Sequence, residues 1–325
     1  MSKPYVVVTR RMPGTAYGRL EEACDVWLWE EDRPIPPALL TEKLALAEGL
    51  LCMLTDTVSA AMLVQAPRLK AISTMAVGVD HIDLAAAKAK GLPVGYTPDV
   101  VTPATADLAF ALILAFSRRI VPLEAQVRRG EWLGWTPHPI SGHNVAGKTL
   151  GIFGMGRIGQ AVARRALGFS MPVVYHNRQP NPQAEAELGA RYLSFDDLLT
   201  QADILVITAP LSPQTRGIFD AQAFARMKSS SLLVNVARGP LVNQADLREA
   251  LVKGQIRGAA LDVCDPEPMS PQDPLLTLPN CLVLPHVGTA TQETRAAMAE
   301  MAVDNLLAAM AGQPMPHCIN PPRPQ

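Results

Sequence analysis

The sequence has no excess of charge of either sign and no organised cysteines. Lysine and arginine total 29 against 30 aspartates and glutamates. That balance supplies no global field to recruit nucleic acid or an anionic membrane, so a bound anion must meet a local cluster of positive groups. The five cysteines (Cys24, Cys52, Cys264, Cys281, Cys318) are scattered, odd in number and never spaced CxxC. This pattern argues against a disulfide framework and against any metal site, and fits a reducing cytosol with buried, inert thiols. No signal-peptide pattern opens the chain, because residues 1–4 run straight into the strand-like 5–9. The most apolar helical stretch, 108–116, is far shorter than the ~20 residues that cross a bilayer. Internal repeats and long low-complexity segments are also missing. A cytoplasmic protein without nucleic-acid or membrane partners is expected.

What is present is a chain of 325 residues, 48 % apolar and 18 % charged, enough for two cores. Strand-like runs at 5–9, 26–29, 49–54, 71–74 and 94–95 alternate with helical patterns at 15–24, 37–45, 59–65 and 84–90. Such alternation implies βαβ units and a parallel sheet. One long helix is predicted over 103–129, followed by an exposed arm over 130–147 that carries Trp132 and Trp135. A second series begins at Thr149, with six strands at 149–153, 172–175, 204–208, 232–236, 258–261 and 281–284. Helices at 158–167, 195–200, 221–227 and 244–252 separate these strands. A last helix over 291–310 is free to return to the first domain, and a proline-rich tail starts at Gln313. The fold class is therefore α/β, with doubly wound parallel sheets.

The run TLGIFGMGRIGQAVA from Thr149 places Gly154, Gly156 and Gly159 in a GxGxxG pattern between a strand and a helix. Gly154 permits a tight turn, Gly156 admits a pyrophosphate to the backbone, and Gly159 lets helix and strand pack closely. The helix N-terminus then offers N–H groups and a positive dipole end to phosphate. About 20 residues further on, where an acid would hold the ribose diol of NAD, the sequence reads His176-Asn177-Arg178-Gln179. Arg178 can pair with the 2′-phosphate of NADP and Asn177 can donate to it; a solvated loop arginine is the plainer alternative. Three strand ends carry further chemistry: Arg238 after the fourth strand, Asp262 and Glu267 after the fifth, His286 after the sixth. Ligands bind at such carboxyl ends in open parallel sheets.

With these motifs the sequence resembles the D-2-hydroxyacid dehydrogenase family, and within it the glyoxylate/hydroxypyruvate reductases. The segments that carry the likeness are MAVGVDHID at 75–83, TADLA at 105–109, GMGRIG at 154–159, NVARG at 235–239 and LPHVG at 284–288. NRQP at 177–180, DPEP at 265–268 and WLGW at 132–135 point to the subfamily. The resemblance implies two Rossmann-like domains with the active site in the cleft between them. Residues 1–100 and 289–325 would form the substrate domain, and 101–288 the dinucleotide domain. It implies Arg238, Glu267 and His286 as catalytic residues. His286 would donate a proton to the substrate carbonyl, Glu267 would fix its tautomer, and Arg238 would hold the carboxylate. Backbone N–H groups at Val77 and Gly78, with Met53 and Leu54, would complete the substrate pocket. Asp262 would hold the nicotinamide carboxamide. Further contacts to NADP(H) are implied for Thr105, Arg157, Ile158, Ala209, Pro210, Thr215, Val236, Ala237 and Gly288. His81, His138, His143, His176 and His317 keep structural or surface readings.

A homodimer is expected, with Trp135 either entering the neighbouring subunit's site or serving as an interface anchor only. The reaction implied is NADPH-dependent reduction of glyoxylate and hydroxypyruvate. Reduction of pyruvate or bulkier oxo acids stays open, as does a catalytically weak NAD(P)-sensing scaffold of the same fold. A hydrogen bond to a charged group contributes about 1.5–3 kcal/mol, so NADPH should be preferred about ten- to a hundredfold over NADH. Steady-state rates with both coenzymes test this, and a preference for NADH would overturn it.

Overall fold

The computed structural model describes residues 3–137 and 142–320. His138 and the end of the proline-rich tail lie outside the described residues. The chain divides into two compact units, Met1–Val101 with Thr289–Gln325, and Thr102–Gly288.

The first unit alternates β1 (Tyr5–Val8), α1 (Ala16–Ala23), β2 (Asp25–Leu28), α2 (Pro37–Leu44), β3 (Gly49–Cys52), α3 (Ala60–Val64), β4 (Ala71–Thr74), α4 (Leu84–Ala89) and β5 (Val94–Gly95). The strands pair in parallel in the order β2-β1-β3-β4-β5. Both faces of the sheet are covered, which is why β3 and β4 are buried at every residue.

The second unit contains α5 (Thr102–Ser117), α6 (Ile120–Arg128), β6 (Leu150–Phe153), α7 (Arg157–Leu167), β7 (Val173–His176), α8 (Pro182–Leu188) and β8 (Arg191–Tyr192). It continues with α9 (Phe195–Gln201), β9 (Ile204–Ile207), α10 (Ala221–Arg226), β10 (Leu232–Asn235), α11 (Gln244–Val252), β11 (Gly258–Leu261) and β12 (Cys281–Val283). Its parallel sheet runs β12-β11-β10-β9-β6-β7-β8. The order reverses at β6, so its carboxyl end is a topological switch point. One core packs α5 and α7 on one face, and a second core packs α9, α10 and α11 on the other.

Two departures from the sequence reading have local causes. The single helix expected over 103–129 is two helices, broken at Arg119, whose φ is +52°. Pro122 has no N–H to give to the carbonyl of Arg118, and its ring would clash there, so one helix cannot run through. Among the described residues the sheet has seven strands instead of six, because α8 and β8 lie between the expected second and third strands. β8 is two residues long and leaves no apolar run to read. The start of α8 is encoded: Asn181 caps it by accepting from Ala184 N–H, and Pro182 occupies its first turn.

The chain returns to the first unit through α12 (Gln292–Met310), which packs on β3 and β4. Ser73 Oγ donates to the Ala302 carbonyl at 2.7 Å. Asn305, fully buried, donates to the Tyr96 carbonyl at 3.0 Å and accepts from His317 N–H at 2.8 Å. It thereby joins α12, the end of β5 and the C-terminal segment. Replacing Asn305 by Ala leaves a half-buried N–H and a half-buried carbonyl without their partner, at about 1–2 kcal/mol each, the lower part of the range for a lost partner. Asn305→Ala should lower the urea midpoint by an amount equivalent to about 2–4 kcal/mol; an unchanged midpoint would refute that role.

Candidate active site

The glycine run forms a turn that other side chains could not make. Gly154 has φ +107°, and a Cβ there would lie 2.5 Å from the Ala209 nitrogen. A Cβ on Gly159 would lie 2.3 Å from the Gly154 carbonyl oxygen, whereas Gly156 faces open space. Thr208 Oγ1 donates to the Gly154 carbonyl at 2.7 Å, closing the turn against the end of β9. No side chain caps the N-terminus of α7, so its first N–H groups remain for an anion. Arg157 and Ile158 open that helix. This open cradle at the switch point fits the diphosphate of a dinucleotide. Ala209, Pro210 and Thr215 line the loop after β9, where Thr215 Oγ1 donates to the Pro210 carbonyl at 2.9 Å. Asn177 and exposed Arg178 follow β7, and Asn177 Oδ1 accepts from Met155 N–H at 2.7 Å.

At the carboxyl ends of β10, β11 and β12 stand Arg238, Glu267 and His286. Asn235, buried at the end of β10, shapes the first turn: its Oδ1 accepts from Ala237 N–H at 3.0 Å and its Nδ2 donates to the Arg238 carbonyl at 2.9 Å. Val236 and Ala237 fill the step between them. Gly239 is required next, because a Cβ would meet the Cys264 carbonyl oxygen at 1.9 Å. Glu267 Oε2 lies 2.8 Å from His286 Nδ1. A carboxylate only accepts, so Nδ1 carries the hydrogen and Nε2 is the outward nitrogen. Burial pushes the Glu267 carboxyl up. The hydrogen bond and charge of His286, the Cys264 N–H and the Arg238 guanidinium outweigh it and hold Glu267 below the usual carboxylate range.

Asp262 is 1 % exposed and grips the histidine loop. Its carbonyl accepts from His286 N–H at 2.9 Å, Oδ1 from Val287 N–H at 2.7 Å and Oδ2 from Gly288 N–H at 2.8 Å. Burial raises its pKa, opposed by those N–H groups and by His286. A Cβ on Gly288 would approach Asp262 Oδ2 at 3.0 Å and Thr105 at 3.6 Å, so Thr105, Asp262 and Gly288 are brought together.

In the first unit, half-buried Met53 and Leu54 follow β3, while exposed Val77 and half-buried Gly78 follow β4. Cys52 and Thr74 pair across these strands, so the two loops are neighbours. His81 packs beneath them, 3.0 Å from Thr74 Oγ1 and 3.9 Å from Cys52 Sγ. Trp135 is 86 % exposed, in the arm. Sequence reasoning missed Asn235 and Asp56 as supports. Asp56 Oδ2 accepts from Met53 N–H at 2.8 Å, and the Thr9 hydroxyl also donates to it. Asn235 was visible within NVARG, but Asp56 belongs to no motif and only contact reveals it. All five cysteines are free. Cys281 and Cys318 are half-buried rather than fully enclosed, and burial pushes the Cys264 thiol to about 11 and Cys281 to about 12.

A switch-point glycine turn, with a buried acid holding a histidine loop nearby in the same sheet, defines a nucleotide-dependent oxidoreductase fold. The family model described as D-isomer specific 2-hydroxyacid dehydrogenase, NAD binding domain, matches residues 110–288. The glyoxylate reductase/hydroxypyruvate reductase of Homo sapiens is 44 % identical over 315 residues, covering 96 % of each chain. A crystal structure of a Thermus thermophilus protein superposes with TM-score 0.91 at 44 % identity, covering 97 % of this chain and 99 % of that one. An NADPH-dependent glyoxylate/hydroxypyruvate reductase from Sinorhizobium meliloti, solved with NADP and malonate, gives TM-score 0.89 at 32 % identity, covering 100 % and 99 %. The chain belongs to the D-isomer specific 2-hydroxyacid dehydrogenase family and carries a nicotinamide-nucleotide-binding domain. No described helix is long and apolar enough to cross a membrane.

Because the folded-state pKa of Glu267 is depressed, its stabilising contribution is fully present above the unfolded value of about 4.3. It is lost as pH falls through the lower folded value. Urea midpoints of the unaltered protein and Glu267→Gln should differ at neutral pH, and the difference should begin to shrink as pH falls below about 4.3. A difference independent of pH would contradict the stabilised Glu267 carboxylate.

Proposed function

We propose that the chain is an NADPH-dependent reductase of small 2-oxo acids, converting glyoxylate to glycolate and hydroxypyruvate to D-glycerate. The observation that carries this reading is the Glu267–His286 pair, 2.8 Å apart, at the carboxyl end of the sheet that also bears the glycine turn and Arg238. We read 102–288 as the dinucleotide domain and the remainder as the substrate domain. The uncapped start of α7 and open Gly156 would hold the diphosphate. Arg178 and Asn177 would face the 2′-phosphate, and Thr105, Ala209, Pro210, Thr215, Val236, Ala237, Asp262 and Gly288 would complete the contacts. When bound, the nicotinamide supplies the hydride that reduces the carbonyl carbon.

The chain's own residues do the rest. Arg238 binds the substrate carboxylate through its forked donors and orients the carbonyl. On the first unit, the backbone N–H groups of Val77 and Gly78, with Met53 and Leu54, are the proposed substrate contacts. His286 Nε2 gives its proton to the carbonyl oxygen as charge develops there. Glu267 holds Nδ1–H, which fixes the tautomer and orientation of the ring and leaves Nε2 as its outward nitrogen.

We also propose a cytoplasmic homodimer. α6 buries none of its side chains although it carries Ile120, Val121, Leu123 and Val127. Trp132, Leu133 and Trp135 in the following arm are 67, 98 and 86 % exposed. Such apolar exposure marks an interaction surface.

A positioned acid contributes about 10²–10⁴-fold, so His286→Ala should cut turnover of glyoxylate and hydroxypyruvate by that factor with little change in NADPH affinity. NADPH oxidation at several oxo acids, alongside direct coenzyme titration, checks both points. Activity confined to bulky oxo acids would discard the small-pocket assignment. Loss of NADPH binding with turnover intact would mean that His286 is not the donor.

A further inference from the structure

Both polar backbone groups of Met155, the central residue of Gly154-Met155-Gly156, are held by one loop. Its N–H donates to Asn177 Oδ1 at 2.7 Å, and its carbonyl accepts from Asn181 Nδ2 at 3.2 Å. Only Arg178, Gln179 and Pro180 separate the two asparagines, and all three are exposed. Both ends of this short loop are fixed a second time. Asn181 Oδ1 caps α8 through Ala184 N–H at 3.1 Å, and Asn181 N–H donates to the Tyr175 hydroxyl at 2.6 Å. The Tyr192 hydroxyl donates to the Asn177 carbonyl at 3.2 Å. None of these bonds needs a ligand.

We propose that Asn177 and Asn181 form a clamp on Met155 that sets the position of Arg178 relative to the glycine turn, making Asn181 a positioning residue for coenzyme choice. The inference rests on the NADPH reading of Arg178 given above. A pinned loop with Pro180 inside it has few backbone states left, so the guanidinium is presented from a fixed base. Without the clamp, Arg178 would have to lose that freedom on binding, and part of its interaction with a 2′-phosphate would be cancelled. The N–H of Met155 can face only an acceptor. The Asn177 oxygen is therefore committed inward, which leaves its amide nitrogen as the outward donor. An aspartate at 177 would accept the same N–H, so the choice between Asn and Asp changes the charge beside the coenzyme while leaving the turn intact.

Asn181→Ser and Asn181→Thr separate the two duties of Asn181, because either hydroxyl can still cap α8 but is too short to reach the Met155 carbonyl. Dissociation constants for NADPH and NADH, titrated on the full chain, would be compared in both variants, in Arg178→Ala and in the double variants. The clamp predicts that either Asn181 variant lowers the NADPH-to-NADH affinity ratio about three- to tenfold, the scale of one hydrogen bond. It predicts no further change in the ratio once Arg178 is Ala, since Asn181 acts through it. A merely structural asparagine would weaken both coenzymes equally, and that result overturns the proposal. So does a loss of ratio that persists without Arg178. A ratio untouched by Arg178→Ala alone refutes the NADPH reading itself, and the clamp's purpose with it.

Discussion

Two oxygens of one buried carboxylate hold the loop on which His286 stands. Asp262 accepts from the successive N–H groups of Val287 and Gly288, and its carbonyl accepts from His286. The histidine itself has φ +54°, a conformation that costs a non-glycine residue of order 1–3 kcal/mol. Hydrogen bonds to a charged acceptor contribute about 1.5–3 kcal/mol each, so the grip outweighs the strain. The imidazole is thus turned toward Glu267 by its backbone, and the 2.8 Å contact follows from Asp262 as much as from Glu267.

The same economy of close approach runs through the rest of the sheet. Gly239 lets the Arg238 turn lie against the backbone at Cys264, and Gly154 lets the dinucleotide turn lie against Ala209. In each case a methyl group would occupy the position of a backbone atom. The chemistry-bearing side chains therefore stand on turns whose shape is set by glycine and by buried Asn235 and Asp262, which do not themselves need to meet substrate. Asn177 and Asn181 extend the pattern to the coenzyme end.

Much of this was legible before the structure. Nearly every strand was announced by a run such as Val6-Val7-Val8 or Ile204-Leu205-Val206, because parallel strands covered on both faces must be continuously apolar. The candidate site side chains were legible because each stands in the turn or loop that follows such a run. The break at Arg119 is encoded by Pro122, but the stretch before it is apolar on every face and carries no stop of its own. β8 was missed because two residues carry no period. Asp56, Asn181 and the grip of Asp262 on its loop were illegible for a different reason: each acts on backbone groups distant in sequence or outside any motif.

The sequence by itself determined most of the order of strands and helices, the glycine turn and the choice of Arg238, Glu267 and His286 as candidate site residues. Those are local properties, written in apolar runs, turn residues and short spacings. Only tertiary structure decided that Asp262 turns inward to backbone N–H groups and that Asn177 and Asn181 meet on Met155. It also decided that Asn305 joins α12 to β5. A polar side chain carries no mark of its partner in the sequence, and the partner is chosen when packing brings a particular backbone group within hydrogen-bond reach.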